Sequence, residues 1–310
     1  MSRFILIDFG ASRVKYACFD ARSKKFFNEG DTASPRPVRT AGLVWEESPA
    51  ALRSAFLSAC RKAAVGLERP PRGVLVCSQT HGFIALDEKK RPLSNYISWK
   101  DERSLSALKK ESAYEYLGRS IGAAYRQITG MKMRPCFPAF NFAALARTQK
   151  LPRKCRIASL PEWLAMGCDC DAGLVHETVF AGLGFYDLDR RRVSPLIYDA
   201  VSDYCGAKPV FGWPVAEMAP CATLRIMGAD VPLYVGVGDH QSAVLGALGA
   251  KINALSVNVG TGSQVSCPGF PSALAENRPY LGNRVMATVT HLPAGRALEE
   301  FLGFFGTKQQ

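Results

Sequence analysis

Apolar and polar positions change period several times along the 310-residue chain, and each change marks an element. Residues 4–8 are an apolar run ending in a carboxylate. Residues 14–20 resume after a turn, and Phe26-Phe27 suggests a third segment, which together make a β-meander. Ala51, Leu52, Ala55, Phe56 and Ala59 share one face of a helix expected over 48–66. Strands are expected over 74–77, 83–86, 96–99 and 155–159. Helices are expected over 105–117, 140–147, 160–166 and 194–205, with residues 125–133 irregular and basic. Residues 31–40 and 209–229, broken by prolines and glycines, read as loops. A buried strand follows over 233–237, then a small apolar helical run over 243–250. Strands over 254–259, 264–267 and 284–292 come next. A final helix is expected over 294–305, with Leu298, Phe301, Leu302 and Phe305 on one face.

Composition narrows the class. Apolar content is 47% and charged content 21%, which fits a globular protein. No apolar run reaches membrane-spanning length. The opening MSRFILIDFG reads as a first strand and not as a signal peptide, so a cytoplasmic protein is expected. Its ten cysteines are then reduced thiols, most of them small core residues. Cys168 and Cys170 form the one close pair, without the second pair a zinc site needs. The net charge of +12 invites a nucleic-acid reading, but the basic residues are dispersed. Lys24-Lys25, Lys89 to Arg91, Lys109-Lys110 and Arg190 to Arg192 are short and separate. A solvated basic surface is the reading, with no nucleic-acid or membrane partner and a mild attraction for phosphorylated small molecules.

Candidate chemistry collects at strand ends. Asp239 follows the 233–237 strand, where a fixed carboxylate can take a proton from a bound hydroxyl; it could equally cap the helix. Asp8 ends the first strand, and the turn after it offers backbone N–H groups for phosphates, with Ser12 adding a hydroxyl and Lys15 a cation. Asp8 could hold Mg²⁺ through water, or the turn could be an ordinary hairpin. Ser78-Gln79-Thr80-His81-Gly82 crowds polar groups at another strand end, which suits a hydroxyl-rich ligand. Trp99 offers a flat wall for a sugar, with Asp101 and Arg103 beside it as ligands or as a structural ion pair. Gly260-Thr261-Gly262-Ser263 repeats the strand–turn–strand design of the N-terminus.

In order, the segments IDFGASRVK, CSQTHGFIALDEKKRPLSNYISWKDERS, VGVGDHQSAVLGAL and LSVNVGTGSQVS resemble the FGGY family of carbohydrate kinases. The segment RPYLGNRVMATVTHLPAGRALEEFL resembles its sedoheptulokinase-like branch. The resemblance implies an α/β, actin-like (ribonuclease H-like) fold. Residues 1–249 would be the sugar-binding first domain and 250–310 the opening of a nucleotide-binding second. It implies transfer of the ATP γ-phosphate to a hydroxyl of a ketose, a seven-carbon one included. Asp239 matches the catalytic base, and Asp8 the Mg²⁺-associated carboxylate. Gly10, Ser12 and Lys15 match the first phosphate turn, and Gly260, Thr261 and Gly262 the second. Thr80, His81, Gly82, Trp99, Asp101, Arg103 and Asp239 match sugar-facing positions. Two departures stand out: Ala11 where a Thr is usual, and Thr80 where a Met is usual. Family chains also continue well past Phe305, so a truncated product, half of a split kinase or a fragment is expected. The rival expectation is a catalytically inactive sugar-binding or scaffold protein. Residues 294–305 are expected to mediate self-association or to meet a complementing chain.

Overall fold

The computed structural model describes all residues except 1, 109, 169–172, 260–262, 294–299 and 305–310. Strands β1 (Arg3–Phe9), β2 (Arg13–Asp20) and β3 (Lys25–Ala33) form the expected meander. Helix α1 (Pro49–Ala63) starts where Ser48 accepts from the Ala51 N–H, with Pro49 in its first turn. The chain then returns as β4 (Val74–Ser78), parallel to β1. Much later it adds β5 (Pro220–Ile226), β6 (Ala229–Tyr234) and the short β7 (Val237–Gly238). The sheet order is β5-β6-β4-β1-β2-β3, and β7 also pairs with β4. A long connection leaves β4 at the centre, flanked by parallel neighbours on both sides.

One face of this sheet carries the first core. Ile5, Ile7, Val74, Val76 and Leu233 meet Leu52 and Phe56 of α1, and Trp163 and Leu164 of α2 (Leu160–Met166). A second core lies in the segment between β4 and β5. It is built on Phe83, Phe137, Phe140, Phe142, Phe180 and Phe185. Helix α3 (Asp239–Leu248) follows β7 directly. Four antiparallel strands follow: β8 (Ser256–Val259), β9 (Ser263–Pro268), β10 (Glu276–Tyr280) and β11 (Arg284–Leu292), in the order β8-β9-β11-β10. Cys18, Cys60, Cys77, Cys136, Cys155, Cys205 and Cys267 are free thiols; Cys170 lies outside the described residues. No described helix is long and apolar enough to cross a membrane.

Several expected boundaries move. β3 runs to Ala33, and Pro37–Ala41 is an edge strand paired with Val44–Glu47, so residues 31–40 are mostly extended. Residues 209–229 hold the strands Lys208–Val210, Trp213–Val215 and β5, whose prolines are tolerated where ladders have free edges. The helix expected at 105–117 is Ala113–Ile121. It is fixed there by a capping box in which Ser112 and Glu115 satisfy each other's backbone N–H. Residues 125–133 are helical over Ala124–Thr129. The 233–237 strand is split between β6 and β7. An added Cβ on Gly236, inside that break, would lie 2.4 Å from the Pro161 side chain. β10 was not expected at all. Of the helix expected at 294–305, residues 300–304 are described and helical; Leu298 and Phe305 lie outside the described residues.

Candidate active site

β1, β4 and β7 are parallel and end together. Asp8 stands in register with Cys77 of β4, and Cys77 with Val237 of β7. Asp239, two residues further, therefore leaves the sheet on the other side of β4 from Asp8. Carboxyl ends of parallel strands are where open α/β sheets take ligands. Here they open into a cavity of about 630 Å³ lined by Asp8, Gly10, Cys77, Gln79, Thr80, His81, Trp99, Asp239, His240, Ser242, Asn258, Gln264 and Arg278, among others.

Asp239 is the first residue of α3, and Gly238 holds the N-cap position. The Asp239 Oδ1 accepts from the His240 backbone N–H at 2.7 Å. Burial pushes its carboxyl up to about 6, helped by the Asp8 charge and opposed by that N–H and by Arg278. A carboxylate of that value is poised for proton transfer near neutrality. Asp8 is held differently. It meets the Lys15 ammonium at 3.4 Å and accepts from the Cys77 thiol at 3.5 Å. Burial and the neighbouring Asp8 charge push that thiol up to about 12, which keeps it protonated and inert.

The Thr80–Gly82 turn presents the next group. His81 has a left-handed backbone (φ 62°), which aims its ring at the cavity wall. The ring stacks on Phe137 at 4.7 Å, and Nδ1 lies 3.0 Å from the Gly182 carbonyl oxygen. Burial, with the charge of Arg278, drops its pKa to about 3, so the imidazole is neutral. Nδ1 must then carry the proton it gives to Gly182, which leaves Nε2 as an acceptor. Gln79, beside it, is buried, and neither side-chain amide atom has a protein partner. A buried amide left open in a cavity wall is a demand for ligand hydrogen bonds. Trp99 supplies a half-exposed flat wall.

Other candidates stand apart from the wall. Gly82 makes room for Tyr96, since an added Cβ would lie 2.1 Å from the Tyr96 hydroxyl. Asp101 and Arg103 form a buried ion pair. Asp101 accepts from the Trp45 N–H at 2.7 Å and from Arg103, and Arg103 also reaches Glu46 at 2.7 Å. They brace the segment that carries Trp99 and do not line the cavity. Ser12 is exposed at the tip of its hairpin, and Lys15 lines a second, more apolar cavity that shares Asp8, Cys77 and Ser242 with the first. Gly260, Thr261 and Gly262 lie outside the described residues, although β8 and β9 on either side pair as a hairpin, Val259 opposite Ser263.

Gln79 was expected only as one of the polar run 78–82, and His240 and Arg278 were not expected in the wall. Gln79 and His240 adjoin candidates, so adjacency was the available signal. Arg278 sits on β10, where Pro279 disguised the strand.

Among the described residues no cluster of three or more His, Cys, Asp or Glu could hold a metal by itself. Mg²⁺ at phosphoryl-transfer sites is held by one or two carboxylates together with substrate phosphates and water. Asp8 and Asp239 offer hard oxygen donors to one cavity, so the donor set fits.

Residues 3–154 match the FGGY family of carbohydrate kinases, N-terminal domain. No curated protein matches the chain. Solved kinases share its fold. A xylulose kinase from Rhodospirillum rubrum superposes with a TM-score of 0.82 at 13% identity, over 99% of this chain and 64% of that one. Ligand-bound xylulose kinase from Lactobacillus acidophilus gives 0.78 at 17% identity, over 94% and 60%. Plasmodium falciparum glycerol kinase with ADP gives 0.79 at 13% identity, over 100% and 65%. The actin-like ATPase fold expected from the FGGY resemblance is therefore the fold observed. This chain spans about 60 to 65% of the length of those kinases.

Proposed function

We propose that the cavity belongs to a carbohydrate kinase of FGGY type, which transfers the γ-phosphoryl group of ATP to a sugar hydroxyl. The observation that carries this reading is the pair Asp8, on β1, and Asp239, opening α3 directly after β7, which share one cavity with the open amide of Gln79. Asp239 takes the proton of the attacking hydroxyl. Its pKa of about 6 leaves it ionised at neutral pH yet basic enough to accept. Gln79, Thr80 and the Nε2 acceptor of His81 hold hydroxyls, and Trp99 covers an apolar sugar face. The Gly10 N–H is taken by the Arg13 carbonyl, so the N–H groups of the turn after it are assigned to phosphate oxygens, and Gly260, Thr261 and Gly262 are assigned the same task. Asp8, with Asp239 near it, would hold Mg²⁺, which would supply charge neutralisation on the transferring group. Catalysis is then positioning and electrostatics.

The acceptor is expected among ketoses, heptuloses included. We assign residues 1–249 to the sugar-binding domain and 250–310 to the start of the nucleotide-binding one. The test is a coupled ADP-release assay over a panel of ketoses and polyols, beside calorimetry of the same sugars without nucleotide. Sugar-dependent ADP release supports the kinase reading. Sugar binding without turnover supports a binding protein instead. No heat and no turnover with any sugar would sink both.

A further inference from the structure

One oxygen of the Asp239 carboxylate accepts from the His240 N–H, which belongs to the same junction between β7 and α3. The aim of the carboxylate therefore follows the backbone of that junction. β7 pairs with β4 on one side, and among the described residues no strand pairs with its other side. A buried N–H on such an edge needs an acceptor from elsewhere. The N–H of Gly238, the residue before Asp239, finds one in the Thr178 hydroxyl at 3.1 Å. Thr178 stands in the short helix Glu177–Phe180 and is buried behind the cavity wall, not part of it.

The direction of each bond follows from its neighbours. The Gly238 N–H can only donate, so Thr178 Oγ1 accepts there and keeps its own proton for a second partner. That partner is Nδ1 of the fully buried His176, 2.9 Å away. The Thr178 backbone N–H also points at Nδ1, at 3.3 Å. The other ring nitrogen, Nε2, lies 3.1 Å from the Ala216 carbonyl oxygen. Burial lowers the His176 pKa, so the ring is neutral and carries one proton. On Nε2 that proton meets the Ala216 carbonyl, and Nδ1 accepts from Thr178. On Nδ1 it would face the Thr178 N–H, donor against donor, and leave Nε2 against a carbonyl with no proton between them. The chain therefore runs one way, from Gly238 through Thr178 and His176 to Ala216. Its far end is anchored as well. Ala216 follows the strand Trp213–Val215, which pairs with Leu174–His176.

We propose that Thr178, backed by His176, is a positioning residue for Asp239: it fixes the β7–α3 junction so that the carboxylate meets the acceptor hydroxyl. The proposal rests on the kinase reading for the task of Asp239, but the bond chain is tested without it. In the wild-type chain, nitrogen-15 shifts of the four labelled histidine rings should show His176 as the neutral Nε2–H tautomer at neutral pH. The Nδ1–H tautomer, or a charged ring, overturns the chain. Thr178→Val keeps the shape and removes the hydroxyl, whereas Thr178→Ser keeps the hydroxyl. In the ADP-release assay the Val variant should lose about 10- to 100-fold in kcat, the order that a small misplacement of a reacting group costs. Its KM should stay within a few-fold, and the Ser variant should recover most of the rate. Thermal melts identify the variants that fold. A folded Val variant with wild-type kcat, or a Ser variant as impaired as Val, leaves Thr178 a structural residue and overturns the proposal. Should the Val variant not fold, His176→Asn keeps an acceptor near the place of Nδ1 and drops the Ala216 bond. It should lose kcat several-fold with KM held, and an unchanged kcat overturns the proposal. If the wild type turns over no sugar, the kinase reading falls by itself. Positioning is then read from the titration of the carbon-13-labelled Asp239 carboxyl, about 6 in wild type. A midpoint that moves in a folded variant without the chain supports the proposal, and an unmoved one overturns it.

Discussion

Asp8, near the end of β1, and Asp239, the first residue of α3 directly after β7, leave the two strands that pair with β4 on either side, and both line one cavity although they are far apart in the chain. Their roles differ because their surroundings differ. Asp8 rests on the Lys15 ammonium, whereas Asp239 is buried at the start of α3 with its pKa pushed up to about 6. Two carboxylates set apart in this way can serve two tasks at one pH.

Asp239→Asn is the first test. If the chain turns over a sugar, alone or with a complementing chain, the variant should lose about 10² to 10⁴ in kcat, the usual contribution of a general base. Sugar affinity should stay within a few-fold. The wild-type rate should fall as pH drops through about 6, where Asp239 takes up its proton. A stability effect should accompany this. A carboxyl whose folded pKa is raised contributes most below its unfolded value, and that contribution is lost as pH rises through the folded value. The Asn variant should therefore melt above wild type at pH 7 to 8, and no higher at pH 4. Near-normal turnover, or a melting difference of the opposite sign, would return Asp239 to the role of a helix-start residue.

His81 gives the second prediction. Its pKa of about 3 keeps the ring neutral over the working range, with Nδ1 tied to the Gly182 carbonyl. It can therefore accept a hydroxyl through Nε2 but cannot act as a general acid. His81→Gln should raise KM by about tenfold through one lost or misplaced hydrogen bond, with kcat changed less. No titration near pH 6 to 7 should trace to this residue. A variant that removes a limb of the pH–rate profile would show that His81 carries a proton after all.

How far the sequence could be read depended on how local each signal was. The β1–β2 hairpin, β4 and the Asp239 strand end were legible because apolar runs and turn residues lie together in the chain. Arg278 was not, because its meaning comes from Glu276, Arg134 and His240 converging from three segments. Asp101 and Arg103 were legible as a pair. Their burial against Glu46 and the Trp45 backbone is set by a contact more than 50 residues away, so spacing alone could not decide between ligand and brace.

Gly82 supports the third prediction. The residue shapes the wall from behind, where an added Cβ would come 2.1 Å from the Tyr96 hydroxyl. Tyr96 is fully buried and has no open space to move into. Gly82→Ala should destabilise the fold by about 1 to 3 kcal/mol, the usual cost of overpacking. The double variant with Tyr96→Phe should recover little of that loss, because the added Cβ would also lie 2.3 Å from the ring Cζ and 2.8 Å from Cε2. Chemical denaturation of the three variants checks this. Equal stabilities for Gly82→Ala and wild type would mean that the Tyr96 ring shifts freely.

Gln79 gives the last prediction, a trade of stability against binding. Its amide is buried with both polar atoms unpartnered, and such a group costs about 1 to 3 kcal/mol while it stays unmet. Gln79→Met keeps comparable volume and removes the unmet groups. The ligand-free variant should melt above wild type, since strained or open functional residues commonly hold stability down. Its sugar affinity should fall, and added sugar should raise its melting temperature less than it raises that of wild type, because stabilisation by a ligand follows its affinity. Melts with and without a saturating sugar measure both effects together. A variant that is less stable than wild type, or that binds sugar as tightly, would mean that the Gln79 amide is satisfied by ordered water and takes no part in recognition.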